Sequence, residues 1–137
     1  MTISGLIFII VAAVVILVLI SLSSKSSVHG KGIDKEHFKN EWNDCIEQYK
    51  DEKTRGLSLI NADKLLDEAL KCLGHTGDTM AERLVSAKKV LKNKDEVWSA
   101  HKIRNRLVHE PNYHPTEKIV KRSLNGYYRA FKDLGVF

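Results

Sequence analysis

An apolar run from Ile3 to Leu22 constrains the fold of this chain more than any other stretch. Two serines and one glycine interrupt it, and no charged side chain falls within it. As a helix rising about 1.5 Å per residue, roughly 20 residues cross the roughly 30 Å hydrocarbon core of a bilayer. The run therefore predicts a single transmembrane helix, which we place in an anchor of residues 1–23.

A cleavable signal peptide is the alternative interpretation of the same run. Such peptides carry a basic N-terminal region and a shorter apolar stretch, whereas here no Lys or Arg precedes the run. The serines at 21, 23 and 24 still leave cleavage open. Because Lys25, Lys31 and Lys35 follow the run, the positive-inside rule predicts a single-pass protein of the cell membrane with a cytoplasmic C-terminal domain. Residues 24–33, rich in Ser and Gly, are expected to be a flexible linker.

Residues 34–137 carry apolar side chains at helical spacing, and no segment shows the alternation of a strand. Asp34 is the expected N-cap of a first helix, and Gly74 is expected to end a second in the left-handed conformation. The last helix is expected to begin at Pro115 or Thr116. The sequence therefore predicts an all-α fold, in which the transmembrane helix is followed by a four- to five-helix bundle.

Two further helix starts are predicted by capping boxes, a Ser, Thr or Asn followed three residues later by Glu. Thr79 with Glu82 opens a short third helix, and Asn93 with Glu96 opens the next one. The core-facing positions that we expect in these two helices are apolar or aromatic: Met80, Leu84, Val85, Ala87, Val97, Trp98, Leu107 and Val108.

The two cysteines, Cys45 and Cys72, are isolated on predicted helices and form no C-x-x-C pair. This usage is typical of a reducing compartment, and each thiol is expected to be a core or half-buried side chain. The histidines at 101, 109 and 114 fit no familiar zinc spacing. We therefore predict neither a metal site nor another cofactor.

The stretch DEVWSAHKIRNRLVHEP, at 95–111, contains Arg104, then Asn105, then His109 after three more residues. This R-N-x-x-x-H pattern resembles the signature of the HEPN superfamily, small helical bundles of which many are metal-independent ribonucleases. INADKLLDEAL, WSAHKIRNRLVHE and GYYRAFKDLG also resemble a bacterial group of single-span HEPN-like proteins. The resemblance covers about residues 34–137.

The resemblance implies a mechanism in which the RNA 2′-hydroxyl attacks the adjacent phosphate without a metal. Arg104 would bind that phosphate, His109 would act as general acid or base, and Asn105 would orient them. Family enzymes usually build this site across a homodimer. Residues five apart on an ideal helix are about 140° apart. We therefore expect the helix to end or distort between Arg104 and His109.

Charge is uneven along a chain whose net charge is +5, with 7 Lys/Arg against 12 Asp/Glu in residues 34–82 and 13 against 5 in residues 83–137. We expect Lys102, Arg106, Lys121 and Arg122 in the basic half to contact phosphates of RNA, although lipid headgroups and a merely solvated surface are alternatives. Two functions follow as hypotheses. One is a membrane-anchored endoribonuclease; the other is a non-catalytic tethered module that binds RNA, a nucleotide or a protein partner.

Overall fold

The computed structural model describes residues 32–137 and forms five α-helices and no strand in that range. The helices are α1 (Lys35–Lys50), α2 (Arg55–Cys72), α3 (Met80–Ser86), α4 (Lys94–His109) and α5 (Glu117–Asp133). The predicted all-helical bundle of four to five helices is confirmed for these residues. The predicted membrane span at 3–22 lies outside the described residues, as does nearly all of the predicted linker. From 32 to 137, no helix combines the length and apolarity that crossing a bilayer requires.

Helix α2 is the centre of the bundle, since it packs against each of the other four helices. Its Leu59, Ala62, Leu66 and Leu70 are fully buried and repeat at helical spacing. Helix α5 supplies the opposite wall of the core with Tyr127 and other buried side chains. A charged side chain on the inner face of α2 is therefore within reach of side chains from several other helices.

Most of the predicted helix ends are confirmed. The Asp34 side chain accepts a hydrogen bond from the backbone N–H of His37 at 3.0 Å, and Thr79 with Glu82 forms the expected capping box. Gly74 ends the second helix with a φ of 81°. Because α5 begins at Glu117 with Thr116 as its N-cap, Pro115 precedes the cap instead of lying in the first helical turn.

Three expectations about the third and fourth helices are wrong. Asn93 precedes α4 but its side chain makes no capping hydrogen bond, and the Glu96 carboxylate accepts at 3.0 Å from Arg129 of α5 instead of from the Asn93 backbone. Val85 and Val108 are 51% and 48% exposed. Helical spacing alone did not show that α3, which carries Val85, has only 7 residues. Nor did it show that the side of the last turn of α4 that carries Val108 faces solvent.

Helices α4 and α5 approach closely where Gly126 faces the first turn of α4. A Cβ atom at Gly126 would lie 3.2 Å from the carbonyl oxygen of Glu96. The missing side chain thus lets the two backbones pack together. This crossing fixes the position of α4, which carries the motif.

The cysteines differ from each other in burial. Cys45 is buried, as predicted, and burial together with the nearby acids Glu41 and Asp44 raises the pKa of its thiol to about 11. Cys72 is exposed at the last residue of α2, so the expectation of at least half burial is wrong for it. Cys72 lies on the outer side of the final turn, whose Ala69 and Leu70 are buried.

Arg83 joins α3 to α2 through a largely buried ion pair. Its Nε and Nη2 donate to the two carboxylate oxygens of Asp67 at 2.6 and 3.1 Å, and its Nη1 donates to the carbonyl of Gly77. Lys71 reaches the same carboxylate at 2.8 Å. Burial alone would raise the pKa of Asp67, but these cations outweigh it and hold the pKa below its usual value.

Candidate functional site

Arg104 of the motif is anchored to a buried carboxylate. Its Nε lies 3.3 Å from Oδ2 of Asp63, a residue of α2 that is 2% exposed. Its Nη1 donates to Oδ1 of Asn105 at 2.9 Å. Nε is buried and makes no hydrogen bond within residues 32–137, so Asp63 holds it as an ion pair, while 23% of the Arg104 side chain is exposed. The inner edge of the guanidinium is therefore held, while its outer edge faces solvent.

Asp63 is the centre of a larger polar network. Its Oδ1 lies 2.8 Å from Nδ1 of His101 and accepts a hydrogen bond at 2.7 Å from the hydroxyl of Tyr127. Nδ2 of Asn105 lies 3.2 Å from Nε2 of His101, which closes a ring through Arg104. Three helices thus contribute to the network: α2, α4 and α5.

The hydroxyl of Tyr127 shows how deeply this network is buried. Tyr127 is 0% exposed, and burial, followed by the neighbouring charge and hydrogen bond of Asp63, raises its pKa well above its usual value. The edge of Trp98 packs against His101, with the ring centroids 6.1 Å apart. Apolar packing and hydrogen bonds therefore restrict the imidazole together.

Sequence reasoning missed Asp63, His101 and Tyr127 as members of this network. A signal was present for the carboxylate. Asp63 lies four residues after Leu59 and three before Leu66, both fully buried, and a charged side chain within an apolar stripe needs polar partners. The identity of those partners depends on other helices, which the spacing does not show.

His109 lies in a different environment. It is exposed at the last residue of α4, in an open groove of about 360 Å³ that it shares with the segment 110–113 and Arg106. Arg106 donates from Nε to both carboxylate oxygens of Glu110 at 3.1 Å, and its guanidinium lies 3.7 Å from the ring centroid of Tyr113. The cation that lines the His109 groove is therefore Arg106 and not Arg104.

The expected end or distortion of α4 between Arg104 and His109 is absent, because the helix continues through His109 and Glu110 is its C-cap. Five residues on such a helix turn the side chains about 140° apart. Within one protomer, Arg104 is turned towards Asp63 and His109 towards the open groove. The structure brings Arg104 and Asn105 together but does not bring His109 to them. Their roles in binding or chemistry stay predictions.

The four predicted phosphate contacts, Lys102, Arg106, Lys121 and Arg122, are all exposed. Within residues 32–137, Arg106 pairs with Glu110, and the other three form no ion pair. Arg122 lines a groove of about 250 Å³ between α4 and α5, whose wall also includes acidic side chains of the first turn of α4. The three unpaired cations are thus available to an anionic partner.

Comparisons with known protein families, with curated proteins and with solved structures found no match. In the part of the chain that the structure describes, no group of three or more His, Cys, Asp or Glu side chains is placed to hold a metal ion. The candidate site is therefore defined by the contacts of Arg104 and Asn105, and by the separate groove at His109.

Proposed function

We propose that this chain is a membrane-anchored, HEPN-like protein that binds RNA, with Arg104 as a principal contact to a phosphate. One observation carries this proposal. The guanidinium forms an ion pair with Asp63 and donates from Nη1 to Asn105, while Nη2 makes no hydrogen bond within residues 32–137 and 23% of the side chain is exposed. An arginine fixed in this way presents a planar pair of donors to an anion with little loss of side-chain entropy.

Other exposed cations of the basic half support the same partner. Lys102 lies on α4, and Lys121 and Arg122 lie on α5; all three are exposed and form no ion pair within residues 32–137. Cations that neutralise nucleic-acid phosphates release counterions, so binding of this kind weakens steeply with salt. The affinity would come from the backbone of RNA and not from base recognition.

RNA binding can be measured by fluorescence anisotropy of a labelled single-stranded RNA with the full chain in neutral detergent micelles and chelator. We expect the log–log salt slope to become shallower by about 1.4 for the double variant Lys121→Gln/Arg122→Gln, since each phosphate contact on a single strand contributes about 0.7. Lys64→Gln, which removes an exposed cation from α2 in the acidic half, is the matched control and should leave the slope unchanged. Absence of binding at low salt, or equal slopes for the two variants, would contradict the proposal.

A metal-independent endoribonuclease formed by two copies of the chain is the second candidate. The observation that favours it is the exposed imidazole of His109 in an open groove at the end of α4. Since Arg104 of the same protomer is turned elsewhere, a second copy must bring the partner group. Confinement of both copies to one membrane raises their effective concentration and favours pairing.

In this second candidate, the 2′-hydroxyl oxygen forms a bond to the adjacent phosphorus while the bond from phosphorus to the 5′-oxygen breaks. One imidazole accepts the hydroxyl proton, and a second protonated group supplies a proton to the leaving oxygen. Arg104 stabilises charge on the phosphate oxygens, and Asn105 holds Arg104. The products are a 2′,3′-cyclic phosphate end and a 5′-hydroxyl end.

End-group analysis of labelled RNA after incubation with the full chain in chelator separates the two candidates. The endoribonuclease requires a cyclic phosphate product that disappears in His109→Ala and persists in His114→Ala, a matched substitution of another exposed histidine. Both variants should keep the anisotropy of the unaltered protein. Binding without any cleavage leaves RNA binding as the function.

Anchoring in the membrane is the third element of the proposal. The apolar run 3–22 supports it, because its length matches a bilayer crossing. Deletion of residues 3–22 should move the protein from the carbonate-resistant membrane fraction to the supernatant. An unaltered protein that carbonate extracts completely would contradict the anchor.

A further inference from the structure

We propose that Asp63 and His101 are positioning residues that fix the direction in which Asn105 and Arg104 meet a phosphate, through a single hydrogen-bond order running from Arg104 to Asp63. The inference rests on the proposed role of Arg104 in RNA binding. In the free protein, Nδ1 of the His101 ring carries the hydrogen and Nε2 accepts.

The direction of the first hydrogen bond is set by Arg104. A guanidinium has donors and no acceptor, so the Asn105 atom that faces Nη1 at 2.9 Å must be the carbonyl oxygen. The other end of the same amide, Nδ2, can then only donate. The orientation of the Asn105 side chain is therefore dictated by its neighbour in sequence.

The next two hydrogen bonds follow from that orientation. Nδ2 of Asn105 lies 3.2 Å from Nε2 of His101, so Nε2 must carry a lone pair and accept. A neutral imidazole whose Nε2 accepts has its hydrogen on Nδ1, and Nδ1 lies 2.8 Å from Oδ1 of Asp63. The carboxylate thus accepts from His101, as it also accepts from the Tyr127 hydroxyl at 2.7 Å.

Burial enforces this order. Asp63 and His101 are 2% and 6% exposed, so solvent offers no ready substitute partner. A hydrogen on Nε2 of His101 would face the N–H donors of Asn105, and rotation of the Asn105 amide to avoid this would turn those donors onto Arg104. The two ends of this chain of hydrogen bonds also form an ion pair, because Oδ2 of Asp63 lies 3.3 Å from Nε of Arg104, which itself makes no hydrogen bond within residues 32–137. A change at either end of the chain of bonds is therefore felt by Arg104.

Asn105 is half-buried and its substitution by Asp keeps the size of the side chain, so Asn105→Asp is the sharpest test. Both oxygens of the new carboxylate accept, so Arg104 keeps its partner while Nε2 of His101 gains an acceptor and a proton. Long-range nitrogen–proton spectra of isotope-labelled histidine in the full chain, in micelles without RNA, distinguish these forms. We expect hydrogen on Nδ1 alone in the unaltered protein and on both ring nitrogens in Asn105→Asp.

The positioning role is tested by RNA anisotropy on Asn105→Asp and on Asp63→Asn. Asn105→Asp neutralises Arg104, and Asp63→Asn releases it. For each variant we expect the dissociation constant for RNA to rise about tenfold, as for loss of one charge-assisted contact, whereas Lys64→Gln should not change it. Circular dichroism shows whether Asp63→Asn folds, and Asn105→Asp keeps the test decisive if it does not. Hydrogen on Nε2 in the unaltered protein, or an unchanged affinity in Asn105→Asp, would overturn the inference. Failure of the unaltered protein to bind RNA, with the Nδ1 form observed, would overturn the proposed function and leave the hydrogen-bond order standing.

Discussion

Removal of the Tyr127 hydroxyl is the substitution that most directly measures the energy of the buried network. Tyr127→Phe leaves the ring in place, so the core keeps its apolar contacts and no cavity forms. The change deletes one donor, which lies 2.7 Å from Oδ1 of Asp63. His101 still donates to the same oxygen at 2.8 Å, so the carboxylate is not left without a partner.

The expected magnitude follows from the chemistry of that one bond. A hydrogen bond to a charged group contributes about 1.5–3 kcal/mol, and the remaining partner of Asp63 keeps the loss from exceeding that range. We expect the free energy of unfolding to fall by about 2 kcal/mol and the midpoint of thermal unfolding by about 10 °C for a domain of this size. Tyr128→Phe is the matched control: Tyr128 is the next residue, is 41% exposed and makes no side-chain hydrogen bond within residues 32–137. It should change stability by less than about 0.5 kcal/mol.

The same hydroxyl predicts a dependence on alkaline pH. Burial, followed by Asp63, raises the pKa of folded Tyr127 well above its usual value of 10.0. A raised pKa stabilises the folded state fully below the unfolded pKa, and that stability is lost as the pH rises towards the folded pKa. The difference between the unaltered protein and Tyr127→Phe should therefore shrink above about pH 10, by about 1.4 kcal/mol per pH unit.

Urea unfolding followed by circular dichroism, at neutral and alkaline pH, measures both effects. If Tyr127→Phe unfolds at the same urea concentration as Tyr128→Phe, the hydrogen bond to Asp63 gives no net stability and the reasoning from burial is wrong. A difference that stays constant through alkaline pH would refute the assignment of the raised pKa to this hydroxyl.

Three other substitutions or treatments test separate parts of the fold. Because the pKa of Cys45 is raised to about 11 and its thiol is buried, a thiol reagent near about pH 8 should label Cys72 alone in the native protein and both cysteines in urea. Asp67→Asn should destabilise the protein by about 3 kcal/mol at neutral pH by leaving Arg83 unpaired. The pKa of folded Asp67 is lowered from 3.8, so the difference in stability between the unaltered protein and Asp67→Asn should shrink as the pH falls through that lowered pKa. Urea unfolding of both proteins over a series of acidic pH values measures it. Gly77→Ala should lower the midpoint of thermal unfolding by about 10 °C or more, because its φ is 147° and a Cβ there would lie 2.6 Å from a side-chain atom of α3.

Local sequence signals predicted the helices well where they depend on neighbouring residues alone. Phe38, Trp42 and Cys45 lie on one face of α1 because their spacing matches the turn of a helix, and all three are buried. Thr79 and Glu82 form their capping box because both partners lie within one turn. Such interactions need no other part of the chain to be in place.

The same kind of signal failed at Asn93 and Glu96, where a distant residue competes. The Glu96 carboxylate pairs with Arg129, which is 33 residues away, and the capping hydrogen bond does not form. Exposure of Val108 is a second failure of this type, because spacing defines a face of α4 but not how far neighbouring helices cover it.

The sequence by itself determined the helical class of residues 34–137, the candidate motif at Arg104, Asn105 and His109, and the apolar run whose length matches a membrane. Tertiary structure alone decided which side chains of that motif meet. It placed Asp63 of α2 between His101 and Arg104, and it left His109 on another side of the same helix. The physical reason is range: the period of a helix orders residues within one turn, whereas the desolvation of a buried carboxylate selects partners from whichever helices the core brings together.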